Sequence, residues 1–314
     1  MIHGIVIIHK EKGFTSHDVV AKMRGICGQK KIGHTGTLDP EATGVLPLCL
    51  GSGTRLCDML TDKDKEYVAD LLLGVETDTQ DLTGSVLARH PVEVTQEQVR
   101  EAALSFRGSY SQIPPMYSAL KVNGKKLYEL AREGREVERR AREVRIEEIE
   151  ILKMRLPEVK LRVVCSKGTY IRTLCTDIGE KLGCGGAMAS LTRTRVGRFS
   201  LGDALTLGQL QELKDQGRLQ EAVMPVESVF VSCPVLHVRR DLEKLLCNGN
   251  PLTVEQTAER EQYAPGRWVR VCRPDNRFAG IYAYDESKGR YQPVKMFLEQ
   301  DCTCESRSMS DQSL

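Results

Sequence analysis

Short apolar runs of strand length alternate with segments of helical periodicity through most of this sequence. Residues 45–50 and 67–74 are typical of strands, whereas Val19, Met23 and Ile26 recur at the spacing of one helical face. The alternation predicts a chain built from both strands and helices. No repeat of about 20 to 50 residues, which would indicate a solenoid, is present. Further strands are predicted at residues 4–8, 116–122, 145–154, 160–166 and 189–199, and further helices near 55–60 and at 99–106, 170–182 and 207–217.

Prolines mark a change in the predicted secondary structure towards the C-terminus. Pro225, Pro234 and Pro251 are followed by short strand-like runs, among them residues 268–273 and 278–284. We therefore expect one domain over residues 1–235 and a small β-rich domain over residues 236–298. Residues 299–314 offer little apolar surface to bury, and they are predicted to form a disordered tail.

The composition limits the classes of protein that this chain can represent. Its 314 residues are 40% hydrophobic and 28% charged, as in a soluble globular protein of two domains. The longest apolar stretches are far shorter than the roughly 18 residues that span a bilayer, so a cytoplasmic protein is expected. The net charge is only +2, from 45 basic and 43 acidic residues. Any nucleic-acid binding must therefore come from a local basic surface.

Familiar cofactor and metal motifs are absent from the sequence. The eleven cysteines include no Cys-x-x-Cys pair, and no two of the six histidines have the spacing of a helical metal site. Phosphate-binding loops, dinucleotide-binding glycine patterns and the common hydrolase motifs are also missing. The sequence therefore predicts a mechanism without a cofactor or a metal.

The densest cluster of special residues is the segment 33–47, which we call the signature loop. Three of its glycines, Gly33, Gly36 and Gly44, permit close approach of the backbone by a large ligand. The stiff ring of Pro40 restrains the neighbouring Asp39. A carboxylate held on such a loop is a candidate nucleophile or base.

The signature loop resembles a motif of the TruB-type tRNA pseudouridine synthases. Their pattern G-H-T-G-x-L-D-P-x-A-T-G-x-L-P is matched at every fixed position by residues 33–47, and the similarity extends over about residues 4–230, including segments 65–67, 115–121 and 167–174. The resemblance implies an α+β pseudouridine synthase fold with a mixed, largely antiparallel sheet flanked by helices. It also implies that residues 236–298 form a PUA-like RNA-binding domain.

The resemblance also implies roles for individual residues. Asp39 would be the catalytic carboxylate, acting either by covalent attack or by removal of a sugar proton. His34 would fill the gap that a flipped-out base leaves, and Tyr67 would stack on the target base. Arg172 would pair with Asp39 and stabilise its negative charge. Tyr170 and Leu191 would form walls of the pocket.

A local basic surface is predicted at residues 121–145, which we call the thumb. It contains nine basic and five acidic residues, an excess of +4 against +2 for the whole chain. In the family this region clamps the T-loop hairpin of tRNA, so Lys121, Arg132 and Arg142 are expected RNA contacts. Further phosphate contacts are expected from four other residues: Lys10, Arg193, Arg195 and Arg198.

The resemblance therefore implies an isomerase that converts uridine 55 in the tRNA T-loop to pseudouridine. It would act as a monomer, with no obligatory protein partner. Two alternatives stay open: a guide-RNA-dependent synthase of the dyskerin type, and a non-catalytic RNA-binding or RNA-folding protein. Activity on bare tRNA would exclude the first alternative. The presence of Asp39, Tyr67 and Arg172 together argues against the second.

Overall fold

The computed structural model of the chain describes residues 1–122 and 124–298, which form two compact units. The first unit comprises Val6–Leu48 and Cys57–Leu219. The second comprises Met1–Ile5, Cys49–Leu56 and the described residues from Gln220 onward. The predicted tail at 299–314, and Asn123 of a predicted Asn-Gly turn, lie outside the described residues. The predicted domain boundary near residue 235 stays a prediction.

Strands and helices alternate along the described residues. The strands are β1 (Gly4–Lys10), β2 (Ile32–His34), β3 (Thr43–Leu50), β4 (Lys65–Leu73), β5 (Val75–Thr77), β6 (Val86–Arg89), β7 (Gly108–Gln112), β8 (Lys121–Val122), β9 (Lys125–Lys126), β10 (Arg142–Arg155), β11 (Glu158–Cys165), β12 (Gly186–Val196), β13 (Phe199–Ser200), β14 (Val235–His237), β15 (Trp268–Cys272), β16 (Phe278–Asp285) and β17 (Arg290–Met296). The helices are α1 (Ser16–Cys27), α2 (Cys57–Thr61), α3 (Gln96–Leu104), α4 (Leu127–Arg132), α5 (Ile171–Lys181), α6 (Leu207–Asp215) and α7 (Glu243–Cys247). Short 3-10 helices connect several of them. No helix of the described residues is long and apolar enough to cross a membrane.

One large sheet organises the candidate site. Its strand order is β1-β3-β12-β4-β11-β10-β7, with β2 added beside β3 and β13 beside β12. Strand β12 pairs parallel with β3 and antiparallel with β4. Strands β4, β11, β10 and β7 are joined by antiparallel pairs. The predicted mixed, largely antiparallel sheet is therefore confirmed.

The local sequence explains the central elements of this sheet. Inward side chains alternate with partly exposed ones along β4, as a strand with one face on the core requires. Helix α1 begins with a capping box, in which the Thr15 side chain accepts from the backbone N–H of Asp18. It ends at Gly28, which has a positive φ of 64°. The core between α5 and the sheet includes Leu161, Val163 and Leu174.

The prediction of a strand over residues 116–122 is wrong for most of its length, because only Lys121–Val122 is extended and paired. The preceding backbone has other partners. The carbonyls of Ser118 and Leu120 accept from the first N–H groups of α4, and the carbonyl of Tyr117 accepts from Arg172. Backbone groups used in this way cannot join a sheet ladder.

A second sheet lies in the C-terminal part of the chain, with the order β14-β15-β16-β17. Strands β14 and β15 are parallel, and the other two pairs are antiparallel. Its core is apolar and aromatic, and it includes Leu236, Val271, Tyr282 and Tyr291. The predicted small β-rich domain after the larger sheet is confirmed as part of the α+β architecture.

Candidate active site

Asp39 and Arg172 form an ion pair between the signature loop and the start of α5. The Arg172 Nε atom lies 3.0 Å from Asp39 Oδ2, and Nη2 lies 3.4 Å from Oδ1. The Arg172 side chain is only 5% exposed, whereas that of Asp39 is 40% exposed. This bidentate contact therefore fixes the orientation of the carboxylate and leaves it open to a substrate.

The remaining donors of Arg172 bind neighbouring segments. Its guanidinium donates to the carbonyls of Thr79 and Tyr117 at 2.9 and 2.7 Å, and it lies 3.8 Å from the carboxylate of Asp81. The second oxygen of Asp81 accepts from the hydroxyl and backbone of Thr83. Sequence reasoning missed Asp81, because a turn rich in Asp and Thr is common and nothing in it indicates which arginine it faces.

Buried side chains support the signature loop on both sides of Asp39. Lys10 donates from Nζ to the carbonyls of Glu11, Phe14 and Pro40 at 3.1, 2.7 and 3.0 Å. The backbone N–H of Leu38 donates to the hydroxyl of the buried Ser16 at 2.9 Å. The two residues that flank Asp39 in sequence are therefore both held by side chains from outside the loop.

The expected phosphate contact of Lys10 is wrong. Its side chain is fully buried, and three backbone carbonyls take the hydrogens of its ammonium group. Burial lowers the pKa of this group to about 8, and the nearby carboxylate of Asp39 opposes that shift. Lys10 is therefore part of the support of the loop and is not part of an RNA-facing surface.

Arg193 is also buried, at 1% exposure, which contradicts its expected phosphate contact. Its guanidinium donates to the carbonyls of Val45, Gly36 and Thr37 at 2.7, 3.2 and 3.4 Å. It also lies opposite Tyr67 in the pairing of β12 with β4, and its charge partly offsets the rise that burial causes in the pKa of the Tyr67 phenol. Arg193 thus joins the signature loop to β4.

Tyr67 and Leu191 line the core beside the loop. Tyr67 is 8% exposed on β4, and burial raises the pKa of its phenol. Leu191 is also 8% exposed, and it belongs to the same apolar cluster as Tyr67, Leu38 and Ala42. The sheet therefore brings the predicted stacking residue and a predicted pocket wall to the loop that carries Asp39.

Tyr170 precedes α5 and is held by a polar side chain that sequence reasoning missed. The side-chain amide of the buried Gln112 accepts from the Tyr170 N–H at 2.8 Å and donates to the Tyr170 carbonyl at 3.0 Å. Burial raises the pKa of the Tyr170 phenol, while the charges of Arg172 and Arg142 oppose that shift. Tyr170 therefore lies within electrostatic reach of the Asp39–Arg172 pair.

His34 is half-buried at the start of the signature loop. Its ring makes an edge-on contact with that of His17, with 5.3 Å between the centroids. Burial lowers the pKa of His34, so its neutral form is favoured. A neutral, partly exposed ring is compatible with stacking in a nucleic acid, and the predicted role of His34 stays a prediction.

The thumb presents its predicted RNA contacts to solvent. Lys121, Arg132 and Arg142 are all exposed. Arg132 lies over the ring of Tyr128, with 5.5 Å between the guanidinium carbon and the ring centroid. The charge of Arg142 acts on the pKa of the Tyr170 phenol, so Arg142 lies near the site. Lys121 and Arg132 belong to the surrounding surface.

The arrangement suits chemistry at an exposed carboxylate. Asp39 is open and is oriented by a buried guanidinium, and Tyr67 belongs to the apolar cluster that includes Leu38 of the same loop. In the described parts of the chain, no three His, Cys, Asp or Glu side chains are grouped to hold a metal ion.

Two family models match adjoining segments of the chain. The TruB family pseudouridylate synthase N-terminal domain matches residues 24–171, and the tRNA pseudouridylate synthase B C-terminal domain matches residues 172–231. Asp39 and Tyr67 fall in the first segment, and Arg172 falls in the second.

Curated relatives are similar over nearly the whole chain. The tRNA pseudouridine synthase B of Lachnoclostridium phytofermentans is 52% identical over 95% of this chain and 100% of its own length. The enzyme of the same name from Bacillus pumilus is 41% identical over 96% of this chain and 99% of its own. Similarity at this level and coverage includes both units.

Solved structures share the same architecture. A Cbf5-Nop10-Gar1 complex contains a chain that matches with a TM-score of 0.71 and 27% identity, over 95% of this chain and 86% of that one. A chain of an H/ACA RNP bound to a substrate RNA containing 2'-deoxyuridine matches with a TM-score of 0.71 and 25% identity, over the same shares. The fold, the oriented aspartate and the similarity to curated relatives agree, and this chain belongs to the TruB family of pseudouridylate synthases.

Proposed function

We propose that this chain isomerises uridine 55 in the T-loop of tRNA to pseudouridine, with Asp39 as the catalytic residue. The observation that carries this proposal is the ion pair of a buried Arg172 with a 40% exposed Asp39. The reaction breaks the bond between the base nitrogen and the ribose carbon and forms a carbon–carbon bond to the same base. It involves no net oxidation or reduction, so an oriented carboxylate suffices as the reacting protein group.

Binding of the uridine requires that its base leave the stack. Extrusion costs a few kcal/mol, and the pocket must recover this cost through contacts with the base. Tyr67 and Leu191 offer an aromatic and an aliphatic surface beside Asp39, and Tyr170 adds a second ring. His34 would occupy the space that the base leaves in the RNA.

Affinity for tRNA would come from the thumb. Lys121, Arg132 and Arg142 are exposed and add positive charge outside the pocket, where phosphates can reach them. Such contacts position the RNA without reading its sequence. The names of the curated relatives, which specify tRNA, support tRNA as the substrate.

The C-terminal sheet would add contacts to tRNA away from the T-loop. Residues 236–298 form the proposed PUA-like domain, and Trp268 on β15 is 41% exposed. An exposed indole ring is available for stacking on a base. If this is correct, Trp268→Ala raises the KM for full-length tRNA and leaves activity on an isolated T-arm hairpin unchanged. An equal loss on both substrates would mean that the residue only supports the fold.

The central test uses the full chain and a tRNA transcript that carries tritium at uridine C5. Without a cofactor, guide RNA or second protein, we expect stoichiometric tritium release and a single pseudouridine at position 55. Release only after a guide RNA is added would favour the dyskerin-type alternative, which the fold of the Cbf5 complexes keeps relevant. Binding of tRNA without any release would favour a non-catalytic RNA-binding protein. The same preparation, analysed by its sedimentation, tests the proposal that the protein acts as a monomer.

A further inference from the structure

Arg193 is a fully buried arginine whose polar partners are all uncharged. The guanidinium bonds to three backbone carbonyls of the signature loop. Among the described residues it forms no ion pair with a carboxylate. Burial of a charge without a counter-ion is costly, so a side chain that persists there must supply something that a neutral side chain cannot.

The sheet register places Arg193 between the two parts of the site. It lies opposite Tyr67 in the pairing of β12 with β4, and opposite Gly44 in the pairing of β12 with β3. A Cβ atom at Gly44 would lie 2.1 Å from the Arg193 carbonyl oxygen, so only glycine allows the loop to approach this closely. The backbone and the side chain of Arg193 therefore both contact the loop that carries Asp39.

We propose that Arg193 is a positioning residue for the isomerisation, whose guanidinium fixes the Tyr67 ring and the signature loop in one arrangement relative to each other. This inference rests on the proposed function of Asp39 and Tyr67. The planar guanidinium provides five donors in a fixed fork, and three carbonyls at separate positions of the signature loop use this fork. A lysine ammonium has only three donors and no plane, so it cannot satisfy the same set.

The charge of Arg193 also affects its surroundings. Burial lowers the pKa of both Lys10 and Lys65 to about 8, and the Arg193 charge adds to this shift. It also lowers the pKa of the Tyr67 phenol, where it partly offsets the rise that burial causes.

The test is Arg193→Lys, assayed by single-turnover tritium release with the enzyme in excess and by filter binding of tRNA. We expect the rate to fall about 10- to 100-fold, as for misplaced catalytic groups, while the Kd for tRNA changes by less than about twofold. The matched control is Arg162→Lys on β11 of the same sheet, where the arginine pairs with Glu148 on a partly exposed surface. This control should react at the wild-type rate. A wild-type rate for Arg193→Lys as well would overturn the inference.

A double-mutant cycle separates positioning from a general structural role. In the Tyr67→Phe background the phenol group, which interacts with the Arg193 charge from the opposite strand position, is gone, so the rate loss caused by Arg193→Lys should be several-fold smaller than in the wild type. Equal costs in both backgrounds would show that Arg193 does not act through Tyr67 and would overturn the inference. If Arg193→Lys does not fold, Arg193→Gln replaces it in the cycle. Failure of both variants to fold would identify the guanidinium as a folding requirement and would also overturn it.

Tritium release by the wild-type protein distinguishes a failure of this inference from a failure of the proposed function. If wild type releases no tritium, the proposed function fails before Arg193 is considered. If wild type is active and Arg193→Lys matches it, only the positioning role of Arg193 fails.

Discussion

The signature loop and the thumb are held in opposite ways. Buried side chains from outside the loop donate to its backbone carbonyls, as Lys10 does to Pro40 and Arg193 does to Val45. In the thumb, exposed side chains pair with one another. Lys125 and Arg135 share Glu133, and each of these three side chains is more than 40% exposed.

This difference shows how the chain can separate the positioning of a side chain in the signature loop from the binding of a ligand by the thumb. A buried donor that loses its carbonyl leaves both groups unsatisfied, so the loop is restricted to one geometry. An exposed ion pair contributes only about 0 to 1 kcal/mol to the stability of the fold. Its cation can therefore exchange a carboxylate for an RNA phosphate with little loss of stability. The carboxylate that we propose to react is therefore prearranged, whereas the cations that we propose to bind RNA are free to adapt to it.

The largest expected effect is at Asp39. Asp39→Asn should abolish tritium release while tRNA binding persists, because the carboxylate performs the chemistry and the wider surface supplies the affinity. Glu41→Gln is the control on the same loop, since the ion pair that Glu41 forms among the described residues is an exposed one with Lys12. Measurable turnover by Asp39→Asn would remove Asp39 from the chemistry.

The second-largest effect on the reaction rate is expected at Arg172. Arg172→Lys keeps the charge and loses the fork that joins Asp39, Thr79 and Tyr117, so the single-turnover rate should fall about 100-fold. Binding of tRNA should be unchanged in filter assays. Lys181→Met, at the exposed end of the same helix, should keep the wild-type rate. If Arg172→Lys also keeps it, the orientation of Asp39 does not depend on this residue.

The buried support of the loop can be compared directly with a surface pair two residues away. Lys10→Met leaves three carbonyls without their donor and should lower the free energy of unfolding by about 2 kcal/mol. Lys12→Met breaks only an exposed pair with Glu41 and should cost less than about 0.5 kcal/mol. Urea unfolding of both variants measures the difference. Equal losses of unfolding free energy in the two variants would show that the buried support of the loop stabilises the protein no more than the surface pair does.

The smallest effect on chemistry is expected in the thumb. Neutralising Lys121, Arg132 and Arg142 together should weaken tRNA binding and lower the slope of log Kd against log salt by about 2 to 3. The single-turnover rate at saturation should change little. An unchanged slope would mean that these cations do not contact phosphates, and a large loss of rate would mean that the thumb also positions Asp39.

Local patterns in the sequence account for many of the elements. Apolar strand-like runs predicted β4 and β16, and the helical spacing of Val19, Met23 and Ile26 predicted α1, because these signals depend on neighbours only a few residues apart. The strand expected at residues 116–122 failed for the opposite reason. Its backbone groups bind α4 and Arg172, which is far away in sequence.

For this protein, the sequence by itself determined the elements, the candidate catalytic aspartate and the resemblance to a family. Only the tertiary structure decided which cations are exposed and which are buried. Lys10 and Arg193 are indistinguishable from surface cations along the chain, yet both lie in the core with their hydrogens given to carbonyls. The physical reason is that hydrogen-bond satisfaction of a buried charge depends on partners that come from distant segments, such as Pro40 for Lys10. The same holds for Asp81, whose carboxylate meets Arg172 only because the fold brings a turn against the start of α5.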